Sequence, residues 1–194
     1  MSGVYKIIEF KDIVRIPPSL FGRPLKEAAL EVLEEKYKGQ IIHGIGLIIS
    51  ILDVEVSEYG HIVFNDGALY HNAKFKALVF SPALHEVVEG EVMLVEEYGL
   101  LVRLGPLEGF IHKSQIYDDF FSYNREQNIL LGSSSGKVIR KGDRVRARIV
   151  NISYGTRQQT LRIGLTMRQP YLGKLEWIEE EIAGKARAAK TASV

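Results

Sequence analysis

The residues with the clearest chemical potential are a run of basic side chains in the second half of the chain. Residues 137–168 contain nine basic residues and a single acid, Asp143. Arg144, Arg146 and Arg148 alternate with apolar residues, and alternate side chains of a strand lie on opposite faces. The three arginines are therefore predicted to share an outer face. Such a stripe suits contacts to nucleic-acid phosphates, and a solvated barrel surface is the alternative interpretation.

No arrangement typical of catalysis accompanies this stripe. The sequence contains no phosphate-binding glycine loop with its lysine, no HExxH motif and no GxSxG motif. The adjacent acids Glu96-Glu97 and Asp118-Asp119 would point to opposite sides of a strand, so neither is expected to act as an acid–base pair. The five histidines lack the spacing of metal ligands: His43, His61, His71, His85 and His112. We expect a binding protein with no catalytic residue, no metal and no cofactor.

A set of short strands is needed to position the basic stripe. Apolar and polar residues alternate between Gly90 and Leu104, which indicates two strands with a turn or bulge at Tyr98-Gly99. Further strands are predicted at residues 108–112, 144–152 and 160–166. Five short strands with turns between them predict a small closed barrel.

Two segments are predicted to lie outside the barrel strands. Residues 117–140 interrupt the barrel between its third and fourth strands and contain the run GSSSG at 132–136, whose composition indicates flexibility. In residues 173–190, apolar side chains at helical spacing predict a C-terminal helix. The small and polar residues 186–194 are expected to fray.

The first half of the chain predicts a separate α+β domain. Strands are expected at residues 4–16, 46–56, 62–64 and 69–80. Turns are expected at 57–61 and 65–67, and a helix is expected to begin at Pro24 and to be capped by Gly39. The predicted order is β-α-β-β-β, with one helix packed on an antiparallel sheet. The domains are expected at residues 1–82, 83–172 and 173–194.

The composition favours an ordinary globular protein. Of the 194 residues, 46% are hydrophobic and 25% are charged. The absence of cysteine removes any disulfide framework or thiolate metal site, and an intracellular protein is the simple inference. There is no apolar run of about 18 residues and no N-terminal signal-peptide pattern, so no membrane association is expected.

Four short motifs in the predicted barrel resemble a known RNA-binding repeat. They are Gly90-x-Val92, Tyr98-Gly99-x-Leu101-Val102, Glu108-Gly109-x-Ile111-His112-x-Ser114 and Gly142-Asp143-x-Val145. In this order they resemble the S-one repeat, the OB-fold domain of the largest small-subunit ribosomal protein, across residues 83–168. The resemblance implies an all-β OB-fold barrel that binds RNA.

The same repeat implies which side chains contact RNA. Tyr98 is expected to stack on a base, His112 to stack or touch phosphate, and Arg162 to match a basic residue of the final strand. Leu101 stands where the repeat usually has an aromatic residue, and Ser153 where it often has an aspartate, so both contacts are expected to be weakened or lost. The candidate RNA-binding residues are Tyr98, Leu101, Arg103, His112, Lys113, Arg144, Arg146, Arg148 and Arg162. Of these, Arg146, Arg148 and Arg162 are expected to lie on one face near Tyr98 and His112.

Three further segments extend the resemblance over most of the chain. They are VRIPPSLFG at 14–22, FNDGALYHNAKFKALVFSP at 64–82 and IGLTMRQPYLGKLEWIEEEI at 163–182. Together with the barrel they resemble the E-prime stalk family of archaeal RNA polymerase, the counterpart of the seventh subunit of the eukaryotic enzymes. The resemblance implies a truncated ribonucleoprotein-like N-terminal domain, a heterodimer with the F subunit of the polymerase, docking on the polymerase core, and contact with the emerging single-stranded RNA.

The core-docking tip of that family corresponds to loops of the first domain. The matching residues are Pro17, Pro18, Phe21, Gly22, Gly60, Asn65, Asp66 and Gly67. Proline pre-sets the backbone and glycine permits positive φ, so these loops are expected to hold a fixed shape. Phe21 is expected to be an apolar anchor, and the alternative is that it staples the helix start to its own sheet.

The resulting hypothesis is a non-catalytic stalk subunit of DNA-directed RNA polymerase that binds nascent RNA and supports initiation and elongation. The alternative is a translation or RNA-decay accessory protein with the same barrel, and a third class is an enzyme with an RNA-recognition module. The expected location is the cytoplasm of an archaeal cell, or the nucleus if the source is eukaryotic. Leu47, Ile49, Ile51 and Val54 are expected to be covered, either by the F subunit or by this chain's own helix or barrel.

Overall fold

A computed structural model describes residues 4–155 and 160–191, with side chains up to residue 185. Arg157, one of the basic residues counted above, and the last three residues of the predicted frayed tail lie outside this range. The chain divides into a first unit that ends at Pro82 and a second that begins at Ala83.

The first unit is a four-stranded antiparallel sheet with one helix. Its elements are β1 (Tyr5–Ile16), α1 (Leu25–Tyr37), β2 (Ile41–Ile42), β3 (Gly46–Ile62) and β4 (Leu69–Phe80). The strand order is β1-β4-β3-β2. In β4, buried Ala73, Phe75 and Ala77 alternate with exposed Lys74 and Lys76, so one sheet face forms the core. The predicted α+β fold class is confirmed.

Helix α1 covers the core face of this sheet. Ala28, Ala29 and Leu33 of α1 are buried in one cluster with Ile51 and Val54 of β3. The apolar character of these two β3 residues is therefore explained by the chain's own helix, which was one of the two expected outcomes.

Strand β3 differs from the prediction because it continues through the expected turn at 57–61. The register against β4 shifts between Val56 and Gly60, so a bulge absorbs the extra residues and lets the strand run on to Ile62. Gly60 pairs with His71, and a Cβ at position 60 would lie 2.6 Å from Nε2 of that ring. The separate strand predicted at 62–64 is absent. The fourth strand of the sheet is the short β2, which pairs with the start of β3.

The second unit is built on a closed barrel. Its strands are β5 (Val87–Glu96), β6 (Gly99–Arg103), β7 (Glu108–His112), β11 (Arg144–Tyr154) and β12 (Leu161–Thr166). The order is β12-β7-β6-β5-β11, and pairing between β12 and β11 closes the ring. Val145, Ala147 and Ile149 are at most 1% exposed, as the alternation in β11 predicts. The OB-fold barrel is confirmed.

The segment between β7 and β11 forms a small sheet of its own. Its strands are β8 (Phe121–Asn124), β9 (Ile129–Gly132) and β10 (Val138–Arg140), in the order β10-β9-β8. The serine run that was predicted to be flexible is a turn with defined hydrogen bonds. Asp119 accepts hydrogen bonds from the backbone N–H of Ser134 and of Ser135 and from the Ser135 hydroxyl, the last at 2.6 Å.

A buried lysine forms the ion pairs that hold the segment after the barrel in place. The short strand β13 (Gly173–Lys174) pairs with β11, and α2 (Leu175–Thr191) follows. Nζ of Lys174, a residue 7% exposed, lies 3.1 Å from Asp143 Oδ1 and 2.8 Å from Glu176 Oε2. Neither helix of the described chain is long and apolar enough to cross a membrane.

Candidate nucleic-acid interface and docking tip

The outer surface of β5, β6 and β7 carries a row of apolar side chains. Leu94 pairs with Leu101, and Leu101 pairs with Phe110 across the next strand. Leu94 and Phe110 are 45% and 40% exposed, and Tyr98, in the turn before β6, is 65% exposed. Three neighbouring strands thus present flat apolar surface to solvent, which suits the stacking of nucleobases.

Phe110 is the aromatic residue that sequence reasoning missed. Leu101 stands where the repeat usually has an aromatic ring, and the partner strand supplies one directly opposite it. A Cβ at position 99 would lie 2.9 Å from Cζ of Phe110, so Gly99 leaves room for the ring to lie low over β6. Phe110 alternates with buried Gly109 and Ile111 in β7 and therefore lies outside the barrel. Its register against Leu101 was the information that the sequence lacked.

His112 ends the same surface with a defined hydrogen-bonding face. Its Nδ1 accepts a hydrogen bond from the backbone N–H of Ser114 at 3.2 Å and lies 2.7 Å from the Ser114 hydroxyl. With Nδ1 accepting, the neutral ring carries its proton on Nε2, which can donate to a phosphate or base oxygen. Gly99 pairs with His112, and Lys113 donates its backbone N–H to the Tyr98 carbonyl, so Tyr98 and His112 lie at one end of the surface.

The opposite end of the surface is charged. Glu91 pairs with Arg103, which pairs in turn with Glu108. Arg103 is therefore flanked by acids on both neighbouring strands. Arg162 is exposed on β12, one residue before Ile163, which pairs with Gly109 of β7, so it lies at this charged end.

The expectation that Arg162 lies near Tyr98 and His112 was wrong, because it lies at the charged end of the surface. The expectation that Arg146 and Arg148 lie near them was also wrong. Both arginines pair with the start of β5, and Tyr98 follows the far end of that strand. On β11, Arg146 is seven residues from Ser153, the partner of Arg162, which is about 23 Å of extended strand. Alternation fixed which face the arginines occupy, and the cross-strand register separated them from the aromatic residues.

These arginines also have acidic neighbours. Arg146 donates from Nε and Nη2 to Glu89 Oε1 at 2.9 and 2.8 Å, and Arg144 Nη2 lies 3.7 Å from Glu89 Oε2. Nε of Arg148 is buried, and the described residues offer it no hydrogen-bond partner. The basic stripe is thus partly neutralised within β5 and β11.

In the first unit, the two loops of the predicted tip lie together. A Cβ at position 67 would lie 3.6 Å from Cγ of Pro18. Asp66 accepts hydrogen bonds from Arg15 Nε and Nη2 at 2.8 and 2.7 Å, and from the Tyr70 hydroxyl at 2.5 Å. The hydrogen bonds from Arg15, followed by that from Tyr70, hold the pKa of Asp66 well below its usual value. These hydrogen bonds therefore hold the hairpin loop against β1 and β4.

Two details of the tip differ from the prediction. The residue with positive φ is Asn65, at 63°, and not Gly67, because asparagine tolerates the left-handed region. Gly60 lies inside β3 instead of in a loop.

Gly22 does adopt a positive φ of 90°, and Phe21 before it is 46% exposed. Pro17 precedes a single 3₁₀ turn that starts at Pro18.

The end of the β3–β4 hairpin exposes large apolar residues that sequence reasoning did not select. Tyr59 is 85% exposed, Ile62 75%, Val63 48% and Phe64 91%. A hydrophobic patch at the end of a hydrogen-bonded hairpin is typical of a protein–protein contact. The signal was present in the run IVF at 62–64, which was interpreted as a short strand.

Comparison with known proteins gives matches over both units. Residues 11–67 match the family described as "SHS2 domain found in N terminus of Rpb7p/Rpc25p", and residues 81–164 match "S1 RNA binding domain". The chain is 49% identical over 177 residues to DNA-directed RNA polymerase subunit Rpo7 of Saccharolobus shibatae, covering 91% of this chain and 98% of that protein. Identity to the Rpo7 subunit of Sulfolobus acidocaldarius is 47%, over 93% and 98% of the two chains. RNA polymerase II subunit RPB7 of Saccharomyces cerevisiae is 31% identical, over 70% of this chain and 80% of that one.

Proposed function

This chain belongs to the Rpo7 family of archaeal DNA-directed RNA polymerase subunits, and we propose that its barrel binds the nascent transcript. It is a stalk subunit of RNA polymerase that binds RNA. The observation that carries this function is the 49% identity to an Rpo7 subunit over 98% of that protein. The alternative of a translation or RNA-decay accessory protein is not favoured, because the similarity includes the first unit as well as the S1 barrel.

The proposed RNA surface is the outer face of β5, β6 and β7. Tyr98, Phe110 and His112 offer stacking surface and one N–H donor, and every base has a face that can stack. Lys113 supplies positive charge beside His112, and Arg103 and Arg162 supply it for the RNA backbone at the other end of the surface. This composition favours single-stranded RNA without strong sequence preference.

The chain is proposed to act without an active site of its own. Within residues 4–155 and 160–191, no group of three or more His, Asp or Glu side chains could hold a metal ion. No nucleophile and base were identified in the sequence. The proposal is that chemistry belongs to the core enzyme and that this chain needs no cofactor.

Two protein contacts are proposed for the first unit. The tip, formed by residues 17–22 and 59–67, is proposed to dock on the polymerase core in the cytoplasm. The sheet face opposite α1 exposes Tyr5, Ile7 and Ile13 of β1, at 48%, 64% and 55%, and the F subunit of the polymerase is the proposed cover. The domains are proposed to span residues 1–82, 83–172 and 173–194.

Co-purification tests this function. The tagged chain, expressed in an archaeal host, is expected to recover the core polymerase subunits together with a small partner in one-to-one ratio, and to bind fluorescent single-stranded RNA. Recovery of ribosomes or exoribonuclease subunits in place of polymerase would overturn the proposal. Recombinant chain without the partner is expected to self-associate, and a monodisperse monomer that ignores the F subunit would contradict the proposed cover.

A further inference from the structure

A groove of about 340 Å³ lies beside the proposed RNA surface. Its lining is His112, Lys113, Ser114, Tyr117, Phe120 and Arg168, with Asp118, Asp119 and Phe121 completing the wall. This volume is at the small end of the roughly 300–1,000 Å³ typical of ligand sites. The groove is therefore large enough for a single flat group.

Phe120 stands at this groove on a fixed loop. Its side chain is 70% exposed, but its backbone is held at both ends. Its N–H donates to Asp119 Oδ1 at 2.7 Å, and its carbonyl accepts the N–H of Ser133 at 2.9 Å. An exposed ring on an ordered loop loses little conformational freedom when a ligand covers it.

Tyr117, a second aromatic residue of the groove lining, is also held in place. The Tyr117 ring lies edge-on to Trp177 with centroids 6.1 Å apart, and Nζ of Lys137 lies 4.8 Å from its centroid. Phe121 also lines the groove but is only 2% exposed, so Tyr117 and Phe120 are the accessible rings, and Phe120 is the more exposed.

The charges of the groove favour a neutral ring over a phosphate. Lys113 and Arg168 are matched by two carboxylates, and Arg168 Nη2 is paired with Asp118 Oδ1 at 2.5 Å. His112 lines the groove and also belongs to the barrel surface. A strand lying on that surface therefore passes the mouth of the groove.

We propose that this groove receives one nucleobase of the single-stranded RNA that crosses the barrel, stacked on Phe120. The inference rests on the proposed RNA binding and adds a base site formed by the segment between β7 and β11, outside the barrel strands. One flanking nucleotide of the bound strand occupies it, and any of the four bases fits because stacking is insensitive to sequence.

The test uses the full chain with its partner and fluorescent RNA oligonucleotides graded in length across the roughly 4–16 nucleotides that one OB fold binds. Phe120→Ala is expected to shorten the binding site by one nucleotide. It should also weaken the binding of long oligonucleotides about 5- to 150-fold, the range for one stacked base. Phe120→Tyr keeps the ring and should bind as the wild type does. Leu52→Ala, which truncates an exposed apolar side chain of the first unit outside the tip, is the control and should leave RNA affinity unchanged.

A second arm locates the base. When the abasic position of an oligonucleotide meets the groove, the wild type is expected to bind that oligonucleotide more weakly than intact RNA. Phe120→Ala is expected to bind the abasic and the intact oligonucleotides equally well. Equal affinity of wild type and Phe120→Ala at every length would overturn the inference while leaving RNA binding intact. Loss of polymerase or partner association with unchanged RNA affinity would instead assign the groove to a protein. A wild-type chain that binds no RNA would refute the proposed function itself.

Discussion

The RNA surface depends on an aromatic ring in an unexpected position. Phe110 faces Leu101 across β6 and β7 and is 40% exposed. Phe110→Ala is expected to weaken single-stranded RNA binding by about 1–3 kcal/mol, the usual effect of removing one stacking ring. Phe110→Leu keeps the apolar bulk without the ring and should lose most of the same affinity. Fluorescence anisotropy measures both, and wild-type affinity in Phe110→Ala would place the stacking elsewhere.

The arginines are expected to differ in their effect on salt dependence. Each phosphate contact on a single strand contributes about −0.7 to the slope of log K against log salt. Arg162→Ala should therefore make the slope shallower by about 0.7. Arg146→Ala should leave it unchanged, because Arg146 is bound to Glu89 and lies far along β11 from Arg162. The slopes are measured by titration at several salt concentrations. Equal changes of slope in the two variants would show that the bound RNA reaches the start of β11.

The sequence predicts which face of a strand a side chain occupies, but not which residues lie beside it on the neighbouring strands. Alternation predicted that Arg146 points outward and Val145 inward, because the period of a strand is local. The pairing of Leu101 with Phe110 depends on the register between strands, which no local pattern contains. The same limit explains why Glu89 was not foreseen as the partner of Arg146.

The turn held by Asp119 is expected to open in acid. The hydrogen bond from the Ser135 hydroxyl, with those from backbone N–H groups, holds the pKa of Asp119 below its usual value near 3.8. A depressed pKa stabilises the fold above that value, and the contribution is lost as pH falls toward the folded-state pKa. NMR shifts of the Ser134 and Ser135 amides should move at acid pH in the wild type. In Asp119→Asn they should already be displaced at neutral pH.

The neighbouring carboxylate provides the control for that experiment. Asp118 is paired with Arg168, and its side chain is 85% exposed. Asp118→Asn should keep the acid response of the Ser134 and Ser135 amides. Amides that respond identically in Asp119→Asn and in the wild type would exclude Asp119 as the group that titrates.

The attachment of α2 is expected to depend on Lys174. Lys174→Met leaves the buried carboxylate of Asp143 without its close partner, and breaking a buried ion pair costs about 3–5 kcal/mol. Lys185→Met, which removes an exposed pair with Glu181, should cost less than about 1 kcal/mol. Urea denaturation compares the free energies of unfolding, and equal values for the two variants would show that the buried pair does not fasten the helix.

The elements themselves were predictable where local signals agreed. Pro24 and Gly39 bracketed α1, and alternation predicted β4 at its observed bounds. Strand β3 was interrupted in the prediction because SEYGH resembles a turn. In the structure the bulge before Gly60 and the close approach of His71 are tertiary features, so the strand continues where composition alone indicates a break.

Docking on the core enzyme and RNA binding are expected to be separable by mutation. The tip residues lie in the first unit, and the RNA surface lies in the second. Phe64 is 91% exposed and Phe21 46%, and exposed aromatic anchors commonly contribute about 2 kcal/mol or more to an interface. The double variant Phe21→Ala with Phe64→Ala should therefore lose association with core polymerase while retaining the F subunit and RNA binding.

Loop rigidity offers an independent test of the same tip. Asp66 holds the hairpin loop to Arg15 and Tyr70, and a preformed loop loses little entropy on docking. Asp66→Ala removes both contacts without touching either aromatic anchor, so it should weaken core association less than the double variant does. Gly67→Ala is the matched control: position 67 has no positive φ, and a Cβ there makes ordinary contact with Pro18 at 3.6 Å. Competition of each variant with the wild type for core enzyme gives the ranking. Full association of the double variant would mean that the core contacts another surface of this chain.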